Sequence, residues 1–275
     1  MEILQYTFFR NALAGSLLIA VACGIAGTYV VSRRLVFISG GITHASFGGL
    51  GLGFYLNVNP FPTALGFALL SAFGVGWMNK SYRVREDSAI AAIWSLGMAV
   101  GAICIGMTKG YTPNLSSYLF GNILTITRSD LVWAAIFALV LCLFFIVMHR
   151  EIIYTAFDRD FASTQGIPVK FVEYLMTAFI AVTIVLSIRL AGIMLLMSLL
   201  TVPQMTVNLF TPDFRRIVWG SILLGFLACL TGLFSSYFLQ IPTGASITVV
   251  LLFCFLSAKG ILFFLKKRGG DKITG

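Results

Sequence analysis

Of the two histidines in the chain, His44 is the one set inside an apolar run, ISGGITHASFGGLGLGF (38–54). An imidazole withdrawn from water is neutral and offers a lone pair, which suits a soft or borderline cation such as zinc or manganese. The same ring also serves as a polar packing residue bonded across helices, and this fragment leaves both readings open. Thr43, beside it, is a candidate to line the same path. Two further segments have comparable potential. In LAGIMLLMSLLTVPQMTVNLF (190–210), Pro203 frees a carbonyl and bends a helix, while Met194, Met197 and Met205 form either a thioether track or ordinary packing. In FSSYFLQIPTGASITVVL (234–251), Gln240 to Gly244 interrupts two apolar runs. Broken helix ends present free backbone dipoles, so Ser236, Tyr237 and Gln240 are pathway candidates; a tight loop is the plainer alternative.

What is missing narrows the chemistry. All ten carboxylates (Glu2, Glu86, Asp87, Asp130, Glu151, Asp158, Asp160, Glu173, Asp213 and Asp271) fall at the ends of apolar runs, in loops or near the termini. A charge at the bilayer centre costs about 2.5–3.5 kcal/mol, a cost that ion-coupled carriers accept for a relay. This sequence has no such relay. It also lacks a GxxxxGK[ST] loop, so it does not bind ATP by that route. A permease driven by a separate ATPase meets both conditions.

The polar island His149–Lys170, HREIIYTAFDRDFASTQGIPVK, stands out against this apolar background. Asp158 reads as the N-cap of a short helix that Gly166 ends, with Pro168 opening the next span. Short amphipathic helices dock into partner grooves, which makes Phe157, Asp158, Phe161, Gln165 and Gly166 candidate contacts; a merely solvated loop is the alternative.

These segments must be positioned by helices in lipid. Hydrophobic residues make up 59% of the 275, charged residues 11%, and mean hydropathy is +0.96. A soluble domain needs about 25% charged residues, so the fold class is all-α, a polytopic transmembrane helix bundle. Apolar runs lie near 11–31, 38–56, 61–79, 88–108, 131–148, 171–190, 191–208, 216–238 and 246–265, giving eight or nine spans. Asn114 to Ile126 is too short to cross and reads as a re-entrant or interfacial helix. With the N-terminus outside, one side receives Arg33, Arg34, Lys80, Arg83, Arg85, Arg150, Arg159, Lys170, Arg215, Arg216, Lys266, Lys267, Arg268 and Lys272. The other receives only Arg10, Lys109, Arg128 and Arg189, so the first side, the island and the C-terminus are cytoplasmic. The net charge of +9 is thus a topology signal and not a nucleic-acid one. Cys23, Cys104, Cys142, Cys229 and Cys254 each sit in an apolar run, where cysteine packs as a small hydrophobe. The first run is too long for a signal-peptide core and reads as a span.

Taken together, RRL…THASFGGLGLGF, REDSAIAAIWSLGMAVG, SYLFGNILTIT, FDRDFASTQGIP, AGIMLLMSLLTVPQMT and YFLQIPTGASIT resemble, in order and over nearly the whole chain, the permease subunits of bacterial zinc- and manganese-type ABC importers. The resemblance implies a single membrane-embedded permease domain over 1–275, with a cytoplasmic coupling loop at about 149–170. It implies a homodimer in the bacterial cytoplasmic membrane, two copies of an ATP-binding subunit, and an external metal-binding protein. It implies a transport subunit, not an enzyme, with no stably bound cofactor and no nucleic-acid partner. His44 then becomes a transient pathway ligand, and Asp158 to Gly166 the coupling element. Two positions depart from the family pattern: Gly40 and Gln240 stand where aspartates are usual. Loss of hard oxygen donors favours zinc over manganese, with iron also within range. Rival readings are an iron-chelate permease of related fold, a self-sufficient secondary transporter and a non-transporting scaffold.

Overall fold

A chain segment in hydrocarbon must satisfy every backbone amide internally, so long apolar runs become helices. The computed structural model describes residues 6–82, 85–108 and 126–270, and among these all regular structure is helical. In chain order the helices are α1 (Thr7–Ser32), α2 (Val36–Tyr55), α3 (Pro60–Tyr82), α4 (Glu86–Met107), α5 (Arg128–Val147), α6 (His149–Phe157), α7 (Arg159–Thr164), α8 (Val169–Ala191), α9 (Ile193–Asn208), α10 (Phe214–Leu239) and α11 (Thr243–Gly270). Seven are long and apolar enough to cross a membrane: α1, α3, α4, α5, α8, α10 and α11. The Gly-rich α2 and the 16-residue α9 fall outside that group. The re-entrant helix expected over Asn114–Ile126 lies, apart from Ile126, outside the described residues.

The termini of these helices follow local chemistry. Thr127 and Asp130 form a reciprocal capping box at the start of α5, and Asp158 accepts from the Phe161 N–H at 2.9 Å to open α7. Asp213 caps α10 through the Arg216 N–H, and that bond, with the arginines beside it, holds its carboxyl below the usual range. Gly192 alone separates α8 from α9. Its φ of 82° is a conformation L side chains rarely adopt, so glycine permits the abrupt reversal.

α1 is the most enclosed span and packs against α5, α8, α9 and α10. Glycines on two sides of α2 admit two helices. α4 comes in along Gly48 and Gly51, and α3 along Gly49 and Gly53. A Cβ at Gly51 would meet the Gly101 carbonyl oxygen at 2.6 Å. Without water-driven association between helices, such backbone proximity supplies the van der Waals contact that holds them together.

Pro203 removes the hydrogen bond that the Leu199 carbonyl would otherwise accept. The buried Gln204 takes its place: Nε2 donates to Leu199 O at 3.1 Å and to Cys23 O at 2.8 Å, tying the bend to α1. Gly27 leaves the room this amide needs. Gly51→Ala forces backbone apart, and overpacking of this kind costs about 1–3 kcal/mol. Its thermal midpoint in detergent should fall several degrees below wild type, whereas Gly66→Ala, with open space at its Cβ, should leave the midpoint unchanged.

Candidate functional site

His44 lies near the middle of α2, with its ring stacked on Trp94 of α4 at 4.1 Å between centroids and 5° between planes. α2 and α4 start at the same end and run side by side in parallel, so residues eight positions in from each start meet at equal depth. The stack holds the ring by its face, and Nδ1 is buried with no partner among the described residues. The contact that orients the ring is aromatic.

One turn earlier on the same face, Gly40 leaves a space that Met197 of α9 reaches into. A Cβ at position 40 would sit 3.3 Å from the Met197 Cε. The Met197 sulfur lies 3.6 Å from the Thr43 hydroxyl, which also donates to Ser39 O at 2.7 Å. Gly40, Thr43 and His44 therefore share a helix face with a thioether over it. Met194 and Met205, from the same helix, are exposed. Among the described residues no three His, Cys, Asp or Glu side chains are grouped as a metal cage. Sequence reasoning missed Trp94; its spacing to Glu86, matching that of His44 to Val36, was the available signal.

The other pathway candidates lie elsewhere. Ser236 is buried, donates to Ile241 O at 2.6 Å and pairs with Thr243 Oγ1 at 3.0 Å. Gln240, at φ 54°, donates to Tyr237 O at 3.0 Å. Both use their polar groups on the turn between α10 and α11, while Tyr237 is exposed with its ring edge-on to Phe238. α9 packs against both α2 and α11 and so stands between the two groups.

A cavity of about 160 Å³ lies between α2, α3 and α8, lined by Ser46, Leu50, Asn59, Pro60, Val185 and Arg189 among others. Ser46 is two residues beyond His44, about 200° around the helix, so the cavity and the imidazole lie on different faces. At this end Arg189 pairs with the largely buried Asp130 at 2.8 Å, joining α8 to α5.

The polar island contains two helices, α6 and α7, where one was expected at its Asp158 end. Phe157 and Phe161 are exposed; Tyr154 meets Phe161 edge-on, and Phe157 meets Phe214 of α10. Gly166 adopts φ 74° and releases the chain from α7; the Gln165 N–H donates to Phe161 O and the Gly166 N–H to Ser163 O. His149 accepts from the Arg215 Nε, so the start of α6 also touches α10. Beneath these helices Glu173 of α8 is gripped on both oxygens, by Arg33 at 2.8 Å and Arg159 at 3.2 Å. Arg33 also donates to Thr155 O at 3.1 Å. A hydrogen bond to a charged group in a partly buried setting such as Arg33–Glu173 contributes about 1.5–3 kcal/mol, and a half-exposed pair such as Arg159–Glu173 about 0–1 kcal/mol.

Because His44 contributes a stack and no bond from Nδ1, its removal is cheap for the fold. His44→Ala should lose about 0.5–1.5 kcal/mol, leaving circular dichroism unchanged and the thermal midpoint within a few degrees of wild type. A collapse of the folded fraction would show instead that the ring is structural.

Residues 5–261 match the family model described as the ABC 3 transport family. A probable metal transport system membrane protein of Chlamydia pneumoniae is 35% identical over 249 residues, 88% of this chain and 84% of that protein. The manganese transport system membrane protein MntC of Listeria monocytogenes is 27% identical, with 97% of each chain covered. Among solved structures, PsaBC from Streptococcus pneumoniae in complex with Fab superposes with a TM-score of 0.85 at 27% identity, covering 94% of this chain and 92% of that one. With this match over nearly its full length, and with the ordered motifs that resembled such permeases, the chain belongs to the ABC 3 transport family, as a multi-pass membrane transport protein and not an enzyme.

Proposed function

We propose that the chain is the permease of a metal-ion ABC importer in the bacterial cytoplasmic membrane, with zinc favoured over manganese and iron also within its range. The relatives named for metal and manganese transport support the general reading. The observation that carries it is His44: a mid-helix imidazole with a free nitrogen, beside a hydroxyl and a thioether and with no carboxylate on that face. Zinc accepts nitrogen and sulfur donors, whereas manganese prefers hard oxygen. Transit sites bind weakly because cargo must leave, so the metal is a passing substrate and no resident cofactor is invoked.

In this reading residues 1–275 form one membrane-embedded domain of eight or nine spans, N-terminus outside and C-terminus cytoplasmic. The lysine and arginine bias supports that orientation. The segment at about 149–170 then faces the cytoplasm, and Phe157, Asp158, Phe161, Gln165 and Gly166 meet an ATP-binding subunit. Two permease copies surround the pathway above two such subunits, and an external metal-binding protein delivers cargo. Thr43 lines the route, with Ser236, Tyr237 and Gln240 at its outer end. Closure of the ATP-binding subunits pushes the coupling segment, tilts the spans and exposes His44 alternately to each side.

The test is uptake by proteoliposomes holding the permease, its ATP-binding subunit and the external binding protein, loaded with zinc or manganese. His44→Ala should cut ATP-driven flux by about ten-fold or more. Gly40→Asp should raise the manganese-to-zinc ratio, since only the flexible tip of Met197 has to move. Wild-type flux from His44→Ala would remove the imidazole from the pathway, and an unchanged ratio in Gly40→Asp would sink the account of selectivity.

A further inference from the structure

We propose that Glu173 is the positioning residue that transmits movement of α6 and α7 to the spanning helices; this rests on the importer reading above. The coupling segment is joined to the bundle by contacts of two kinds. Ile152, Ala156 and Ala162 are buried, and apolar contact is non-directional, so such surfaces can slide. The directional ties are few. Among the described residues they are Phe157 on Phe214, His149 on Arg215 and Phe145, and the fork at Glu173 with the Arg33 bond to Thr155 O.

That fork links three bodies through one carboxylate. Glu173 stands five residues into α8 and is anchored there, its own carbonyl accepting from Thr177 at 2.7 Å. Arg33 caps the end of α1, the most enclosed span, and Arg159 is the first residue of α7. One oxygen binds each guanidinium, and Arg33 reaches on to the backbone of α6 at Thr155. A push on α7 therefore pulls α8 and α1 in a fixed direction. Without the carboxylate, the ties of α7 to the spanning helices are, among the described residues, apolar packing. None of Phe157, Phe161 or the Asp158 cap is part of the fork, so docking and coupling are separable by mutation.

The experiment measures metal flux and phosphate release in the same proteoliposomes, containing permease, ATP-binding subunit and the external binding protein loaded with radiolabelled zinc or manganese. Glu173→Gln keeps the shape but turns an amide toward one arginine. Arg159→Gln cuts only the α7 arm at a half-exposed site, which guards against a folding defect in the first variant. Both should lower metal moved per ATP by at least about five-fold, the low end of couplings between linked sites, while stimulated ATP turnover stays near wild type. Glu173→Asp, which restores the charge at shorter reach, should recover part of the ratio. A purely structural role would lower assembled complex and both rates together, and a wild-type ratio in both Gln variants overturns the proposal. Absence of ATP-driven flux in the wild-type complex would overturn the importer reading itself, a result distinct from a coupling ratio that does not change.

Discussion

An unpaired amide in hydrocarbon costs several kcal/mol, and this one constraint shapes the molecule. It turns every apolar run into a helix and leaves irregular backbone to the junctions, and it makes any break within a helix need repair. Pro203 is the clearest case. The carbonyl it orphans is answered by Gln204 from the next position, and the same amide reaches Cys23 O on α1. A defect in one helix thereby becomes a bond between two.

Helix association needs a second device, since lipid tails are as apolar as leucine. Here it is close backbone approach. α2 is thin enough for α4 and α3 to come within van der Waals distance of its backbone, and this intimacy places Trp94 flat against His44. Packing and chemistry are thus the same arrangement. The glycines that hold α2 in the bundle also keep the imidazole at a fixed depth, and Gly40 leaves the gap that Met197 enters.

Charge has been sorted by position. Asp130 and Glu173 both sit near helix N-termini, where the helix dipole favours a carboxylate, and each joins a different helix to its own. The Arg189–Asp130 pair closes one end of the bundle, and the Arg33–Glu173–Arg159 fork closes the other. The middle between the two polar rims is apolar.

Much of this was legible in the chain. Hydropathy alone required an all-helical membrane protein, the sequence Asp158…Gly166…Pro168 marked a capped helix and its release, and His44 was conspicuous as an imidazole among glycines. These are local properties: length, periodicity and turn chemistry act within a few residues. What neighbours do to one another was not legible. Ser236 and Gln240 showed no partners in the chain until the α10–α11 turn gave their polar groups backbone ones, and Met197 looked like one methionine in a stripe until α9 brought it over Gly40. Arg33, Arg159 and Glu173 are far apart in the chain, and no pattern links them. The sequence by itself determined which segments are helices, where charge is tolerated and which side chain has a metal ligand's chemistry. Only the tertiary structure decided which donors share a face and which charges share a carboxylate, because those depend on how helices pack, and packing is set by shape complementarity between segments that no local propensity encodes.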